Sequence, residues 1–236
     1  MFKFFTQRFS SVHRIEKIHQ HLCQRTDLAP GMAKFASVPL PDIHHFVSES
    51  YLLAFDFETS GMDAKHDQIL SVGWVPMSDQ VMDTNASEEH YIHYHCYVNA
   101  RSAEVHQLMP NLLAQGQDLD SVMDMLFAQL AGKVALVHGA CIEKAFIDAY
   151  VQRRYQLPEF PCWWIDTLCI EKRHTFHGRT DTTTQLQLNE VRQRYKLPDY
   201  AAHSASIDAL ATAELLSAQL RALFKSHMPR LSAVIL

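Results

Sequence analysis

The run "YLLAFDFETSGMD", from Tyr51 to Asp63, constrains this chain more than any other stretch. Aromatic and branched residues followed by a Thr-Ser-Gly stop predict a β-strand over Tyr51–Phe57. Side chains alternate along a strand, so Asp56 and Glu58 leave one face while Phe55 and Phe57 leave the other. Two neighbouring carboxylates repel, and burying either one unpaired is costly. Two readings are open. The acids face water at a strand end, or they hold a hard cation such as Mg²⁺ or Mn²⁺, for which all-oxygen ligands are suited.

The 236 residues suffice for one large domain or one domain with an extension. No apolar run approaches the ~20 residues that span a bilayer, and "MFKFFTQRFSSVHR" lacks the apolar core and cleavage site of a signal peptide. Five scattered cysteines without a C-x-x-C pair fit a reducing cytoplasm and argue against disulfides or a thiolate zinc site. A net charge of −5 does not mark a nucleic-acid binder, nor does it exclude one, since acids at a site are neutralised by bound cations.

Residues 1–47 read as an N-terminal extension. They carry six Lys/Arg against three Asp/Glu. Val12, Ile15, Ile18 and Leu22 recur at helical spacing, and "LAPGMAKFASVPLPD" reads as a Pro/Gly-punctuated connector. The main domain is expected over residues 48–226, with a tail at 227–236. Within it, "QILSVGWV" and "YIHYHCYV" continue an antiparallel meander, and "KVALVHGA" and "CWWIDTL" are further strands. Helices are predicted near 103–108, 119–130, 141–155, 185–195 and 204–224. Strands first, then alternating helices and strands, predict a mixed α/β sheet covered by helices.

If Asp56 and Glu58 hold a metal, other carboxylates must converge on them. Glu143 follows the fourth strand at a helix start. Asp208 lies near the start of the last long helix, where Ser204 is the expected N-cap and His203 precedes it. Each acid also has a plain reading as a first-turn helix acid.

"DFETSG", "LVHGACIEKAFID" and "HSASIDALATA" together resemble, in order and spacing, the three motifs of the DEDD exonuclease superfamily, in the branch with a motif-three histidine. The pattern is similar to the proofreading epsilon subunit of bacterial DNA polymerase III and its relatives. The segment around Ser102–His106 and the triplet Asp166-Thr167-Leu168 resemble further family segments. The resemblance covers about Tyr51 to Leu220.

The resemblance implies a ribonuclease H-like fold with a five-stranded mixed sheet flanked by helices. It implies a 3′→5′ exonuclease that releases nucleoside 5′-monophosphates from single-stranded or frayed DNA ends. Asp56, Glu58 and Asp208 would hold two Mg²⁺ or Mn²⁺ ions, Glu143 would act through water, and His203 would be the general base. Thr59, Gly61 and Met62 would contact the terminal nucleotide. An exoribonuclease on short RNA and a weakened nucleic-acid-binding module are the alternatives. No membrane contact is expected, and a polymerase or sliding-clamp partner is possible.

The second motif departs from the family's H-N-x-x-F-D. It reads His138-Gly139-Ala140-Cys141-Ile142-Glu143, so the acid is a methylene longer and the Asn is missing. "AQLRALF" (218–224) resembles a clamp-binding motif, but it is read first as the apolar stripe of the last helix. His90, His93, His95 and Cys96 invite a zinc reading that strand alternation disfavours. His174 and His177, which lack partner cysteines, are read the same way.

Overall fold

The computed structural model describes residues 2–93, 110–176, 185–200, 204–225 and 227–236. The central sheet is built from β1 (Leu52–Thr59), β2 (Ile69–Ser78), β3 (Val81–Met82), β4 (Glu88–Tyr91), β5 (Val134–Val137) and β6 (Trp164–Asp166). Its order is β3-β2-β1-β5-β6, with β4 also paired to β2. β1 and β2 are antiparallel, while β5 runs parallel to β1 and β6 parallel to β5. The sheet therefore has six strands rather than the expected five. The cause is the length of β2: β3 pairs with Met77–Ser78 and β4 with Ser71–Trp74, so two short strands share one edge.

β1 runs two residues beyond its predicted end, which keeps Glu58 and Thr59 inside the strand. β6 is shorter than predicted. The Asp166 carboxylate accepts from Leu168 N at 2.8 Å and turns the chain into helix α6 (Thr167–His174). Residues 94–98 of the predicted third strand and the predicted helix at 103–108 lie outside the described residues.

Each sheet face has its own core. On one face Phe55, Phe57, Ala135 and Val137 meet α4 (Leu119–Leu130) and α5 (Cys141–Tyr155). On the other, Leu52, Ala54, Val134 and Leu136 meet α8 (Ala205–Gln219). Alanines at 205, 209, 211 and 213 are buried there, and such small side chains let the helix lie close to the strands.

The N-terminal segment differs from the connector expected of it. After α1 (Phe2–Leu22), residues Pro30–Ser37 form α2, opened by a proline at its first position. Met32 and Phe35 are buried in the same core as α4 and α5. The Asp124 carboxylate of α4 accepts from Gly31 N and Met32 N at 2.8 and 3.0 Å, the cap that Ala29 cannot supply. Trp163 Nε1 donates to Pro41 O at 3.0 Å.

Helices α3 (Pro110–Ala114) and α7 (Leu188–Arg194) complete the flanks. α8 continues into a π-helical turn, Leu220–Phe224, in which Leu220 is buried and the Phe224 ring meets His174. The apolar residues of "AQLRALF" thus belong to the core stripe. Residues 227–236, expected as a tail, are docked as well. Leu231 and Val234 of α9 (Leu231–Val234) are buried, and Ile235 bridges Ile165. Among the described residues, no helix is long and apolar enough to cross a membrane.

Candidate active site

Asp56 lies opposite Gly73, and Glu58 opposite Ser71, so both acids project from the α8 face near the end of β1. The predicted alternation places them there, and Phe57 enters the other core. Asp208 sits in the first turn of α8. Carboxylate oxygens of Asp56, Glu58 and Asp208 all lie within 4.8 Å of one another. Glu58 is buried, and the other two are partly so. Burial, and then the charges of Glu143, Asp208, Glu58 and Glu89, push the Asp56 carboxyl well above its ordinary range. Three crowded carboxylates, with the proton affinity of Asp56 raised, fit a hard divalent cation, whose charge would offset their repulsion.

α8 reaches the acids because Gly73 has no side chain. A Cβ there would stand 2.1 Å from Ser206 N. Ser204 occupies the predicted N-cap position, but its side chain makes no cap bond to its own helix. Its hydroxyl donates instead to Glu89 of β4 at 2.6 Å. Glu89 was missed in the sequence. Its only signal is its place opposite Gly73 and hence beside Asp56, and that register is invisible before pairing is known. His203 lies outside the described residues.

Glu143 is buried in the first turn of α5, with Oε2 lacking a hydrogen-bond partner. Its pKa is raised from 4.5 to about 8, first by burial and then by the charge of Asp166. It stands outside the three-acid cluster, yet its charge is the largest acidic influence on Asp56. Asp166 fixes the approach to α5, accepting from Gly139 N at 2.8 Å and Ala140 N at 3.1 Å. Gly139, which stands where the family pattern has Asn, adopts a φ of +88°, a conformation that favours glycine. His138 is half-buried between Thr167 Oγ1 (2.8 Å) and Leu186 O (3.0 Å), and desolvation lowers its pKa.

The loop after β1 is organised by Asp67, which accepts from Ser60 Oγ at 3.1 Å and Asp63 N at 2.9 Å. A Cβ at Gly61 would stand 2.4 Å from the Asp67 carboxylate, so a side chain there would displace the acid that organises the loop. Thr59 Oγ1 donates to Gly61 O at 2.7 Å, and Met62 stands 81% exposed on the loop. A cavity of about 530 Å³ lies between this loop and α5, lined in part by Lys65, His66, Tyr150 and Arg153. His90 stacks on Trp74 and bonds Glu88 and Gln117, and His93 is exposed; His95, Cys96 and His177 lie outside the described residues.

Residues 53–216 match the exonuclease family RNase_T. The chain belongs to this exonuclease family. The exonuclease is 24% identical over 190 residues to a PolC-type DNA polymerase III of Thermotoga petrophila, covering 77% of this chain and only 13% of the polymerase. The fold is similar to the nuclease domain of 3′hExo, a DEDDh family member solved with rAMP. That match has a TM-score of 0.61 and 13% identity, covering 79% of this chain and 98% of that one. It is also similar to exonuclease X solved with 5′-overhanging duplex DNA, at a TM-score of 0.56 and 17% identity, covering 77% and 99% of the two chains. These likenesses show the ribonuclease H-like fold.

Proposed function

We propose that the exonuclease acts on single-stranded or frayed DNA 3′ ends, releases nucleoside 5′-monophosphates, and does so at the cluster of Asp56, Glu58 and Asp208. The observation that carries this reading is the convergence of three carboxylates within 4.8 Å, from the end of one strand and the first turn of one helix. Asp56, Glu58 and Asp208 would hold two Mg²⁺ or Mn²⁺ ions, and Glu143 would reach them through water. A pair of such ions supplies charge stabilisation to both the attacking and the leaving oxygen of an in-line displacement. His203, adjacent in sequence to Ser204, would take the proton of the attacking water, as an ordinary imidazole pKa of ~6.5 suits near neutral pH.

Thr59, Gly61 and Met62 would contact the terminal nucleotide, and the exposure of Met62 supports an apolar contact with its base. The cavity between the 64–69 segment and α5 carries Lys65 and Arg153, cations of the kind that pair with a strand's phosphates. The described cysteines are free thiols, in keeping with a reducing cytoplasm. The similarity to part of a polymerase makes a polymerase the partner to test first.

Cleavage of end-labelled single-stranded DNA and RNA, titrated with Mg²⁺ and Mn²⁺, tests the reading. Preferred DNA shortening from the 3′ end is expected. Preference for RNA would favour the exoribonuclease reading, which the rAMP-bound relative motivates. Cleavage of neither would leave the binding module.

A further inference from the structure

We propose that Glu89 is a positioning residue that fixes the first turn of α8, and with it Asp208, over β1. The inference rests on the reading of Asp56, Glu58 and Asp208 as the metal site. Glu89 Oε2 receives three donors from the start of α8: Ser204 Oγ at 2.6 Å, Ser206 Oγ at 2.8 Å and Ser206 N at 3.4 Å. The Ser204 side chain makes no cap bond to α8. An anchored Ser204 carries Asp208 with it, because Asp208 N donates to Ser204 O at 2.9 Å.

The register gives this bond its leverage. Glu89, Gly73 and Asp56 lie opposite one another across three strands, on one face. The helix start rests on bare Gly73 between the two acids. Glu89 therefore grips the helix from the β4 side while Asp208 is presented to the β1 side. Its charge also adds to the repulsion on Asp56, so the carboxylate is electrostatically unfavourable toward the metal-free cluster. The positive end of the α8 dipole and three donors offset that cost. Those donors engage Oε2 alone, and Oε1 is buried without a hydrogen-bond partner; the ligand cluster comprises Asp56, Glu58 and Asp208 among the described residues.

Mn²⁺ affinity of the full chain, measured by calorimetry alongside thermal unfolding, tests this. Glu89→Ala should weaken Mn²⁺ binding roughly 10–100-fold, the usual effect of removing a group that orients a ligand. Glu89→Gln, which keeps an acceptor oxygen and the length, should restore most of it. Ser206→Ala, a milder change that keeps the backbone N–H, should weaken binding a few-fold and serves if Glu89→Ala does not fold. Wild-type affinity in Glu89→Ala, or in Ser206→Ala where that variant decides, with only a lowered Tm, would overturn the proposal. Equal weakening in Glu89→Ala and Glu89→Gln would do so too, since charge rather than position would then be the cause. A wild type that binds Mn²⁺ but cleaves neither DNA nor RNA defeats the exonuclease reading alone, and the affinity ratios still decide Glu89. A wild type that binds no Mn²⁺ defeats both.

Discussion

Burial ties the protonation of Glu143 to folding. Its carboxyl titrates near 4.5 when unfolded and about 8 when folded, so the folded state holds the proton more tightly. The resulting stabilisation is fully present below the unfolded value and is lost as pH rises through the folded one. The urea midpoint of the metal-free protein should therefore fall between about pH 4.5 and about pH 8, and Glu143→Gln should flatten that slope. A slope unchanged by the substitution would place the titration on another group. In single-turnover cleavage, Glu143→Asp should change the rate modestly, because a bridging water shifts to fill one methylene. Glu143→Gln should slow it far more in both Mg²⁺ and Mn²⁺, and a wild-type rate would remove Glu143 from the site. Asp56→Ala should abolish cleavage while leaving the metal-free Tm equal or higher, since it relieves the crowding of carboxylates around Asp56.

At the scale of elements, three helix starts in this fold are tied down from elsewhere. Asp124 of α4 caps α2, Asp166 of β6 holds the turn into α5, and Glu89 of β4 holds α8. Two of the three helices so held, α5 and α8, carry candidate metal ligands in their first turns. Removing the structural cap should cost ordinary capping energy. Asp124→Ala is expected to lower stability by about 0.5–2 kcal/mol and leave cleavage unchanged, as read by urea unfolding and turnover. Gly73→Ala is different, because its Cβ would press on the backbone of α8 at 2.1 Å. That overpacking should cost about 1–3 kcal/mol and shift Asp208 as well, so cleavage should drop more than the change in Tm accounts for. Wild-type turnover in Gly73→Ala would show that α8 can move without consequence.

The whole molecule treats its ends as parts of its cores. Read as sequence, residues 1–47 are an extension that turnover could spare. Yet Leu22, Met32 and Phe35 are fully or almost fully buried beside α4 and α5. Each such side chain is worth about 1.5–3 kcal/mol on burial, against a total stability of about 5–15 kcal/mol for a typical domain. A chain beginning at Pro41 is thus expected to lose its cooperative thermal transition or unfold far below the full-length protein, and to lose turnover with it. An unchanged Tm would return the segment to the status of a separable extension.

Asp56 and Glu58 on one strand face, the order of strands and helices, and the spacing of the motifs to Glu143 and Asp208 were legible in the sequence, because alternation and helical period are local properties of the chain. Composition and cysteine usage set the class in the same way. Helix α2 was hidden, since Pro30 and Gly31 read locally as breakers and its cap comes from Asp124, some ninety residues away. The second strand on the edge of β2 was hidden by its two-residue length. Glu89 was hidden because only pairing with Gly73 brings it beside Asp56. What tertiary structure alone decided was the meeting of distant segments: which carboxylates lie within 4.8 Å, that Glu143 beside them loses its water, and which acid holds the helix that carries another. Those outcomes depend on register and packing between elements, and no local pattern encodes them.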